Sequence, residues 1–154
     1  MNRATRVITL ISAVLLISGC DRREELGPPE IRFGQDTCHA CGMILEDERY
    51  AAAVVFERDG AVERLVFDDV GEMLKFKPPD SAAQVHWYAR DAAMRQWIDA
   101  TSATYVKSDD LATPMGTGIA AYASAQAARS AAADISHGQG GTFSRDQLLG
   151  RLKD

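Results

Sequence analysis

Two strand-like runs joined by an Asp-Gly dipeptide constrain the fold of this chain more than any other feature. Residues 51–56 and 62–67 are rich in alanine, valine and phenylalanine, and Asp59-Gly60 lies in the connection between them. Asp-Gly readily adopts the left-handed backbone that a tight hairpin turn requires. The sequence therefore predicts an antiparallel β-hairpin.

The hairpin is followed by signals for one helix and one further strand. Asp68 or Asp69 can cap a short helix whose apolar residues recur at roughly helical spacing, until Pro78-Pro79 ends it. Residues 84–89 are rich in aromatic and branched side chains, which favours a strand. The first part of the chain is therefore predicted to be β-β-α-β.

The second half of the chain repeats this pattern in a diverged form. Its predicted elements are a strand pair at 94–99 and 104–107, a strand at 118–122, an alanine-rich helix at 123–134, an extended segment at 135–137, and, after a glycine-rich loop, a last helix capped by Ser144. We therefore expect an α+β fold of two small related β-β-α-β units packed together. Residues 36–92 are assigned to the first unit and residues 93–154 to the second.

The beginning of the chain carries an export signal. Two arginines precede an apolar run at 7–17, which is too short to span a bilayer comfortably. The run ends in Ile17-Ser18-Gly19-Cys20, which resembles a bacterial lipobox, whose cysteine becomes the first mature residue and carries acyl chains. We expect residues 1–19 to be a lipoprotein signal peptide and Cys20 to be a lipid anchor, not a metal ligand.

This signal predicts a periplasmic protein anchored to a membrane. Residues 20–35 are charged and contain prolines and glycines, which predicts a flexible tether, and the folded part is expected to start near Asp36. Asp21, directly after Cys20, resembles the signal for retention on the inner membrane of enteric bacteria. The formal net charge of -5 leaves no basic footprint for nucleic acid, so we expect no nucleic-acid partner.

Residues 38–43, Cys38-His39-Ala40-Cys41-Gly42-Met43, bring three types of metal-capable side chain into one short turn. Thiolate and thioether are soft, polarizable donors, and together they favour Cu(I) over the hard cations that carboxylates hold. Because an exported compartment is oxidising, the two cysteines could also close a disulfide.

Two other roles are open to this Cys-x-x-Cys loop. One is a thiol-disulfide oxidoreductase that supports copper-site assembly, although the strand of a thioredoxin-like scaffold is missing before the loop, where residues 21–36 are polar. The other is a structural zinc site, which needs about four ligands. Zinc would have to recruit histidines, of which the chain has three.

A second stretch contains a potential methionine ligand. It reads Thr113-Pro114-Met115-Gly116-Thr117-Gly118 and is predicted to be a loop before a strand. Loops of this composition often present side chains for function. Met73 and Met94 fall in ordinary helix or strand patterns and are predicted to fill the core. Met115 has neighbours that pack poorly, and from the local pattern alone a ligand and a structural turn are equally well supported.

The three histidines are further potential ligands, because imidazole suits copper as well as zinc. His39 lies on the same loop as the thiols and could ligate or only steer charge. His86 alternates with apolar neighbours in a predicted strand, which is typical of a packed or hydrogen-bonded histidine. His137 is predicted to lie on a loop, and either His86 or His137 could be a third ligand if the fold brings it to Met115.

The two motifs and the lipobox together closely resemble the NosL family, the lipoprotein copper chaperones of nitrous oxide reductase assembly. The Cys-x-x-Cys-Gly-Met element and the Pro-Met-Gly loop are specific in combination and weak singly. The resemblance implies a non-enzymatic protein that delivers Cu(I) in the periplasm. It also implies partners in the apparatus that builds the reductase's copper centres, including a membrane transporter and its periplasmic subunit, and a fold of two related β-β-α-β units.

On this basis we expect a single Cu(I) per monomer, because the chain holds one soft-ligand cluster. Cys41 and Met115 are the predicted principal ligands, with Cys38 and Met43 as contributors. A chaperone must hold copper tightly enough to exclude the free ion and must still release it to a partner. Few soft ligands on exposed loops serve both needs, because they leave an approach open for an incoming ligand.

Overall fold

Two antiparallel β-sheets organise the protein in the computed structural model, which describes residues 25–135 and 140–152. The first sheet contains β1 (Ala52–Arg58), β2 (Ala61–Phe67), β3 (Ala83–Arg90) and β4 (Trp97–Asp99). The second contains β5 (Thr104–Lys107), β6 (Ile119–Tyr122) and β7 (Gly141–Phe143). The helices are α1 (Val70–Lys75), α2 (Ala125–Ile135) and α3 (Arg145–Arg151). The predicted α+β class is confirmed.

Both sheets are built on one plan. In each, a strand pair is followed by a helix and then by a third strand that pairs with the first strand of the pair. The resulting spatial orders, β2-β1-β3 and β6-β5-β7, correspond strand for strand, and β4 extends the first sheet by one strand. This confirms the prediction of two related β-β-α-β units.

The β1–β2 hairpin forms as predicted, with a register that runs from Ala52 opposite Phe67 to Arg58 opposite Ala61. Asp59 and Gly60 have φ angles of 53° and 79°. Positive φ at both central residues is the requirement of a type I′ turn, whose twist matches that of the flanking strands. Strand β1 lies between β2 and β3 and is buried over its first five residues, which explains its run of alanines and valines.

The predicted pairing of residues 94–99 with residues 104–107 is wrong. β4 pairs with β3 in the first sheet, whereas β5 pairs with β6 and β7 in the second. The cause is a turn held by Asp91, whose Oδ1 accepts hydrogen bonds from the backbone N–H groups of Ala93 and Met94 at 2.8 and 2.9 Å. This turn folds the chain back onto β3, so that 94–99 cannot reach β5.

The two core methionine predictions have opposite outcomes. Met73 on α1 is fully buried, as predicted. Met94 is 68 % exposed because it lies in the Asp91 turn and not in a strand, so its predicted core role is wrong. A turn held by one buried carboxylate leaves no apolar periodicity for sequence reasoning to detect.

The two sheets share one hydrophobic core. Its main cluster joins Val54 and Phe67 of the first sheet to Tyr105 and Ile119 of the second. Asp91 also crosses between the sheets, because its Oδ2 accepts a hydrogen bond of 2.7 Å from the backbone N–H just after β6. The two units are therefore packed together through apolar contacts and through a buried carboxylate.

Residues 25–35, which we name the N-terminal strap, pack against the first sheet. Ile31 is buried in the main core and Phe33 packs beside it. Three side chains of the sheet donate hydrogen bonds to strap carbonyls: Arg64 to Glu25 at 2.9 Å, Tyr88 to Leu26 at 2.7 Å, and Trp97 to Pro29 at 3.1 Å. The folded part thus begins before Asp36, and the predicted flexible tether is wrong for these residues. Backbone carbonyls accept these bonds, so the strap's own side chains do not reveal them.

The predicted signal peptide, Cys20 and His137 lie outside the described residues. Among the residues that are described, no helix combines the length and the apolar character needed to cross a bilayer. The predicted caps at Asp69 and Ser144 both form, the latter as a reciprocal capping box with Gln147.

Removing the Tyr88 hydroxyl tests the strap. Tyr88→Phe deletes the 2.7 Å bond to Leu26 and leaves the ring in place. Because a neutral hydrogen bond contributes about 1 kcal/mol, we expect tryptic cleavage after Arg32 to become roughly fivefold faster, since cleavage tracks the opened population. Tyr105→Phe is the matched control, because it loses a tyrosine-to-carbonyl bond in the core, to Ala100. An unchanged cleavage rate in Tyr88→Phe would show that the Tyr88 hydrogen bond does not help to hold the strap.

Candidate metal centre

The loop at 38–43 is a tight turn closed by its own backbone. The N–H of Cys38 donates to the carbonyl of Met43 at 2.7 Å, and the N–H of Gly42 donates to the carbonyl of Cys38 at 2.9 Å. Gly42 has a φ of 74°, a conformation that glycine adopts without a steric penalty. The N–H of His39 donates to the carbonyl of Val66 at 2.7 Å, which ties the turn to the end of β2.

This hydrogen bond to the end of β2 places both thiols close to the carboxylate of Asp68. Three potential ligand atoms lie within 4.8 Å of one another, one from each of Cys38, Cys41 and Asp68. Cys38 and Asp68 are buried and Cys41 is partly exposed, and both cysteines are free thiols. The Cys41 Sγ lies 3.9 and 4.0 Å from the two Asp68 oxygens, within reach of a weak S–H donor. Three donors are thus gathered around a space that a single metal ion could occupy.

The buried thiol is held in its protonated form. Burial raises the pKa of Cys38 to about 11, an effect that backbone N–H groups of Asp68, Cys41 and Ala40 partly offset by donating toward the sulfur. A metal ion that binds here must displace the thiol proton, because the thiolate is the ligand form. The same three N–H groups would then stabilise the thiolate.

Asp68 was not predicted as a site residue. The sequence predicts Asp68 only as an alternative helix cap, and that role belongs to Asp69, whose Oδ1 accepts a 2.8 Å hydrogen bond from the N–H of Gly71. Consecutive side chains at a strand end point in opposite directions. Two adjacent acids directly after a predicted strand were therefore a detectable signal that one faced the helix and the other faced elsewhere.

The Pro-Met-Gly loop reaches the same region through Asp69. The second carboxylate oxygen of Asp69 accepts hydrogen bonds from Thr113 Oγ1 at 2.7 Å and from the N–H of Met115 at 3.1 Å. Thr117 Oγ1 donates to the first oxygen at 2.5 Å. Met115 itself is half-buried. The second loop is thereby attached one residue away from Asp68.

A cavity of about 620 Å³ lies between the two loops. Met43 and Ile44 line it from the first loop, Thr113 and Pro114 from the second, and Asp68 reaches it from between them. Met43 and Ile44 are about half exposed, at 49 % and 50 %, which is unusual for large apolar side chains at a concave surface. The structure thus brings the cysteine motif and the methionine loop to one cavity, and the individual ligand roles of Cys38, Cys41, Met43 and Met115 stay predictions.

The histidines of the described residues lie apart from the three-donor cluster. His39 is exposed, and its ring packs edge-on against Phe67 and Phe76 at centroid distances of 5.7 and 5.5 Å. His86 is exposed on β3 and stacks on Tyr88 at 6.3 Å. The geometry groups neither ring with the two cysteines.

The comparisons with known proteins converge on one family. The sequence model of the NosL family matches residues 31–145, well over half of the chain, and this range contains both loops. The chain belongs to the NosL family. It is 30 % identical over 139 residues to the copper-binding lipoprotein NosL of Stutzerimonas stutzeri, covering 80 % of this chain and 72 % of that protein. The predicted NosL family is confirmed.

A solved structure extends the NosL match to the fold. The crystal structure of the copper chaperone NosL from Shewanella denitrificans superposes with a TM-score of 0.57 at 16 % sequence identity. The superposition covers 78 % of this chain and 96 % of that chain. At this level of identity the similarity concerns the fold alone, and it supports the NosL architecture of two related sheets.

The raised pKa of Cys38 predicts how metal affinity depends on pH. If Cys38 is a ligand, as the sequence predicts, a bound Cu(I) ion displaces its proton at any pH below about 11, and the apparent affinity should rise with pH. The expected slope is about tenfold per pH unit for each proton displaced. Competition with a Cu(I) chelator of known pH dependence, at several pH values, measures it. Cys38→Ser should reduce the slope by the contribution of one proton, and an unchanged slope would show that Cys38 keeps its proton.

Proposed function

We propose that this protein is a Cu(I) metallochaperone, which binds its copper cargo at a site between the cysteine loop and the Pro-Met-Gly loop. The observation that carries the proposal is the convergence of Cys38, Cys41 and Asp68 within 4.8 Å beside a cavity that both loops line. Two thiolates and a thioether form a soft donor set, for which Cu(I) is the fitting ion. The copper-binding name of the Stutzerimonas relative supports the same assignment.

The burial of the donors suits a carrier that must also release its cargo. Cys38 is buried and surrounded by N–H donors, so it holds the ion at the inner end of the site. Cys41 is partly exposed and Met43 is half exposed, so an incoming ligand of a partner can approach from that side. Transfer then proceeds by ligand exchange through a shared intermediate, and no free aqueous ion is formed.

Asp68 is assigned to the support of Cys41 and not to ligation. Carboxylate oxygens suit harder cations than Cu(I). The side chain of Asp68 lies 3.9 Å from the Cys41 Sγ and also hydrogen-bonds to Cys38, so it can orient both sulfurs. The thioether partners in this assignment are Met115 and Met43, with Met115 presented by the loop that Asp69 holds.

The cellular location is inferred from the lipobox at the start of the chain and from a lipoprotein relative. The relative from Stutzerimonas stutzeri is a lipoprotein by name, and the lipobox ending in Cys20 supports a lipid anchor in this chain. We infer that the protein works in the periplasm at the inner membrane. Its recipients are the maturation apparatus of nitrous oxide reductase, a membrane transporter with a periplasmic subunit, which builds the reductase's copper centres.

A thiol-disulfide oxidoreductase is the rival role, since two free thiols lie within 4.8 Å of each other. Such enzymes need an accessible thiol with a lowered pKa, commonly at the N-terminus of a helix. Here burial raises the pKa of Cys38, and the loop continues into a turn and not into a helix. The chemistry of the loop therefore favours metal binding over disulfide exchange.

Anaerobic titration tests the carrier function. We expect a single Cu(I) per monomer, and a Cys41→Ser, Met115→Ala double variant should lose more than about 100-fold in affinity, because supporting residues alone typically contribute about 10–100-fold. Met94→Ala is the matched control, because this methionine is exposed in a turn outside the site. Undiminished affinity in the double variant would refute the assignment. Insulin reduction that depends on both cysteines would instead favour the oxidoreductase.

Metal removal separates a carrier from a structural zinc module. The main apolar core joins both sheets, and of the proposed ligands only Cys38 is among its buried residues. We therefore expect the metal-free protein to stay folded. A structural zinc domain would unfold, since binding supplies its folding free energy. Far-ultraviolet circular dichroism before and after chelation measures the difference. Loss of the β signal on chelation would contradict the carrier assignment.

A further inference from the structure

The carboxylate of Asp69 is fully buried and accepts four hydrogen bonds, which come from two distant parts of the chain. Oδ1 accepts from the N–H of Gly71 at 2.8 Å and from Thr117 Oγ1 at 2.5 Å. Oδ2 accepts from Thr113 Oγ1 at 2.7 Å and from the N–H of Met115 at 3.1 Å. One of these bonds caps α1, and the other three hold the Pro-Met-Gly loop.

We propose that Asp69 is a positioning residue for copper, which holds the backbone of Met115 where its thioether can join the two thiols. The inference rests on the proposed Cu(I) carrier function and on Met115 as a ligand. The proposed role of Asp69 is to hold the Pro-Met-Gly loop close to the cysteine loop. The site, which is assembled from two distant stretches of chain, then exists before the ion arrives. Such preorganisation increases affinity, because the loop need not be ordered when the metal binds.

Besides its bonds to Asp69, the loop is held by hydrogen bonds within its own stretch of chain, from the N–H of Gly116 to the carbonyl of Thr113 at 2.9 Å and from the N–H of Ser108 to the carbonyl of Gly118 at 3.0 Å. Gly116 and Gly118 both have a φ of 65°, and the loop carries exposed residues at Ala112, Pro114 and Gly116. Glycine-rich backbone has many accessible conformations, so an undirected loop would lose conformational entropy on binding a metal. The buried carboxylate constrains the loop strongly, because losing a donor would leave a buried oxygen without a hydrogen bond, which is costly in free energy.

The surroundings of Asp69 are shaped for this contact. A side chain at Gly71 would place its Cβ 2.4 Å from Thr117 Oγ1, so glycine is needed there for Thr117 to approach the carboxylate. Thr113 Oγ1 donates to Asp69 and accepts a 3.2 Å hydrogen bond from the N–H of Gly118, which links the two ends of the loop. The loop and the start of α1 are thus complementary at Asp69.

The neighbouring acid, Asp68, belongs to the other half of the proposed site. Asp68 contacts the Cys41 thiol, and Asp69 holds the loop of Met115. Because the two acids are adjacent in sequence, both loops contact the same short segment between β2 and α1. The position of the methionine loop relative to the thiols therefore depends on the contacts of these two side chains.

Asp69→Asn is the direct test. An asparagine side chain has one carbonyl oxygen and one NH₂ donor in place of two acceptors. Whichever way it is oriented, its NH₂ faces either the N–H of Gly71 or the N–H of Met115, so one of these bonds is lost. We expect the Cu(I) affinity of the full-length protein in detergent to fall about 10-fold to 100-fold by chelator competition, in the range typical for residues that support a metal site.

A double-variant cycle separates positioning from a merely structural effect. If Asp69 acts through Met115, then Asp69→Asn should cause little further loss of affinity in a Met115→Ala background. The number of sulfur neighbours of copper, counted by X-ray absorption, should fall by one in Met115→Ala, as expected for loss of a thioether ligand. An equal loss of affinity from Asp69→Asn in both backgrounds, or an unchanged sulfur count in Met115→Ala, would overturn the proposal.

Asp91→Asn is the matched control for destabilisation. Asp91 is also a buried acid that accepts three backbone hydrogen bonds, and it lies at the turn before β4 and at the end of β6. We expect this variant to lower the melting temperature and to leave Cu(I) affinity within about twofold of the unmodified protein, because sites without shared partners act independently. A loss of affinity as large as that of Asp69→Asn would show that general destabilisation is the cause.

Thr113 provides a second probe that leaves the α1 cap intact. Thr113→Val removes the 2.7 Å bond to Asp69 and keeps the side-chain shape, whereas Thr113→Ser keeps the hydroxyl. We expect lower affinity in the valine variant and near-normal affinity in the serine variant, and equal affinities in both would contradict the proposal. Failure of the unmodified protein to bind Cu(I) would refute the carrier function itself. Normal binding by Met115→Ala would refute the positioning role alone.

Discussion

The four hydrogen bonds to the buried carboxylate of Asp69 hold the arrangement on which the candidate site depends. An ionised group removed from water is costly unless its acceptor positions are satisfied. Asp69 meets this condition by drawing donors from α1 and from a loop more than forty residues away in sequence. These bonds bring the methionine loop to the start of α1, one residue away from the acid that contacts the Cys41 thiol, so the hydrogen bonding of one residue helps to bring both halves of the site together.

The site combines a closed inner end with an open outer end. Cys38 is buried among backbone donors, Cys41 is partly exposed, and Met43 and Ile44 line the cavity. A fully enclosed thiolate site would hold Cu(I) against transfer, and a fully exposed one would release it or allow the thiols to oxidise. In the proposed carrier, the increase in exposure from Cys38 to Met43 would allow both retention and delivery.

The N-terminal strap changes how the domain would be presented at a membrane. Hydrogen bonds from Arg64, Tyr88 and Trp97 to its carbonyls fasten residues 25–29 across the first sheet. If Cys20 carries a lipid anchor, only about five residues separate the anchor from the fastened chain, which limits their distance to roughly 18 Å at full extension. The anchored domain would then lie close to the bilayer surface.

The sequence alone determined the local elements and the chemistry of this protein. The Asp59-Gly60 hairpin, the caps at Asp69 and Ser144, the α+β class with its repeated β-β-α-β order and the NosL family could all be predicted. Each depends on turn conformation, helix capping or a short motif, and these interactions act within a few residues. The soft donor types of the two motifs likewise predicted the class of metal without any knowledge of their distance in space.

The tertiary structure alone decided which of these parts meet. It placed β4 in the first sheet and Met94 on the surface through the Asp91 turn, and it fastened the strap through bonds to backbone carbonyls. It also assigned Asp68 to the thiols and Asp69 to the methionine loop, a division that two identical side chains in sequence cannot reveal. The physical reason is that a buried carboxylate selects its donors by their position in space, and that position exists only once the two sheets have packed.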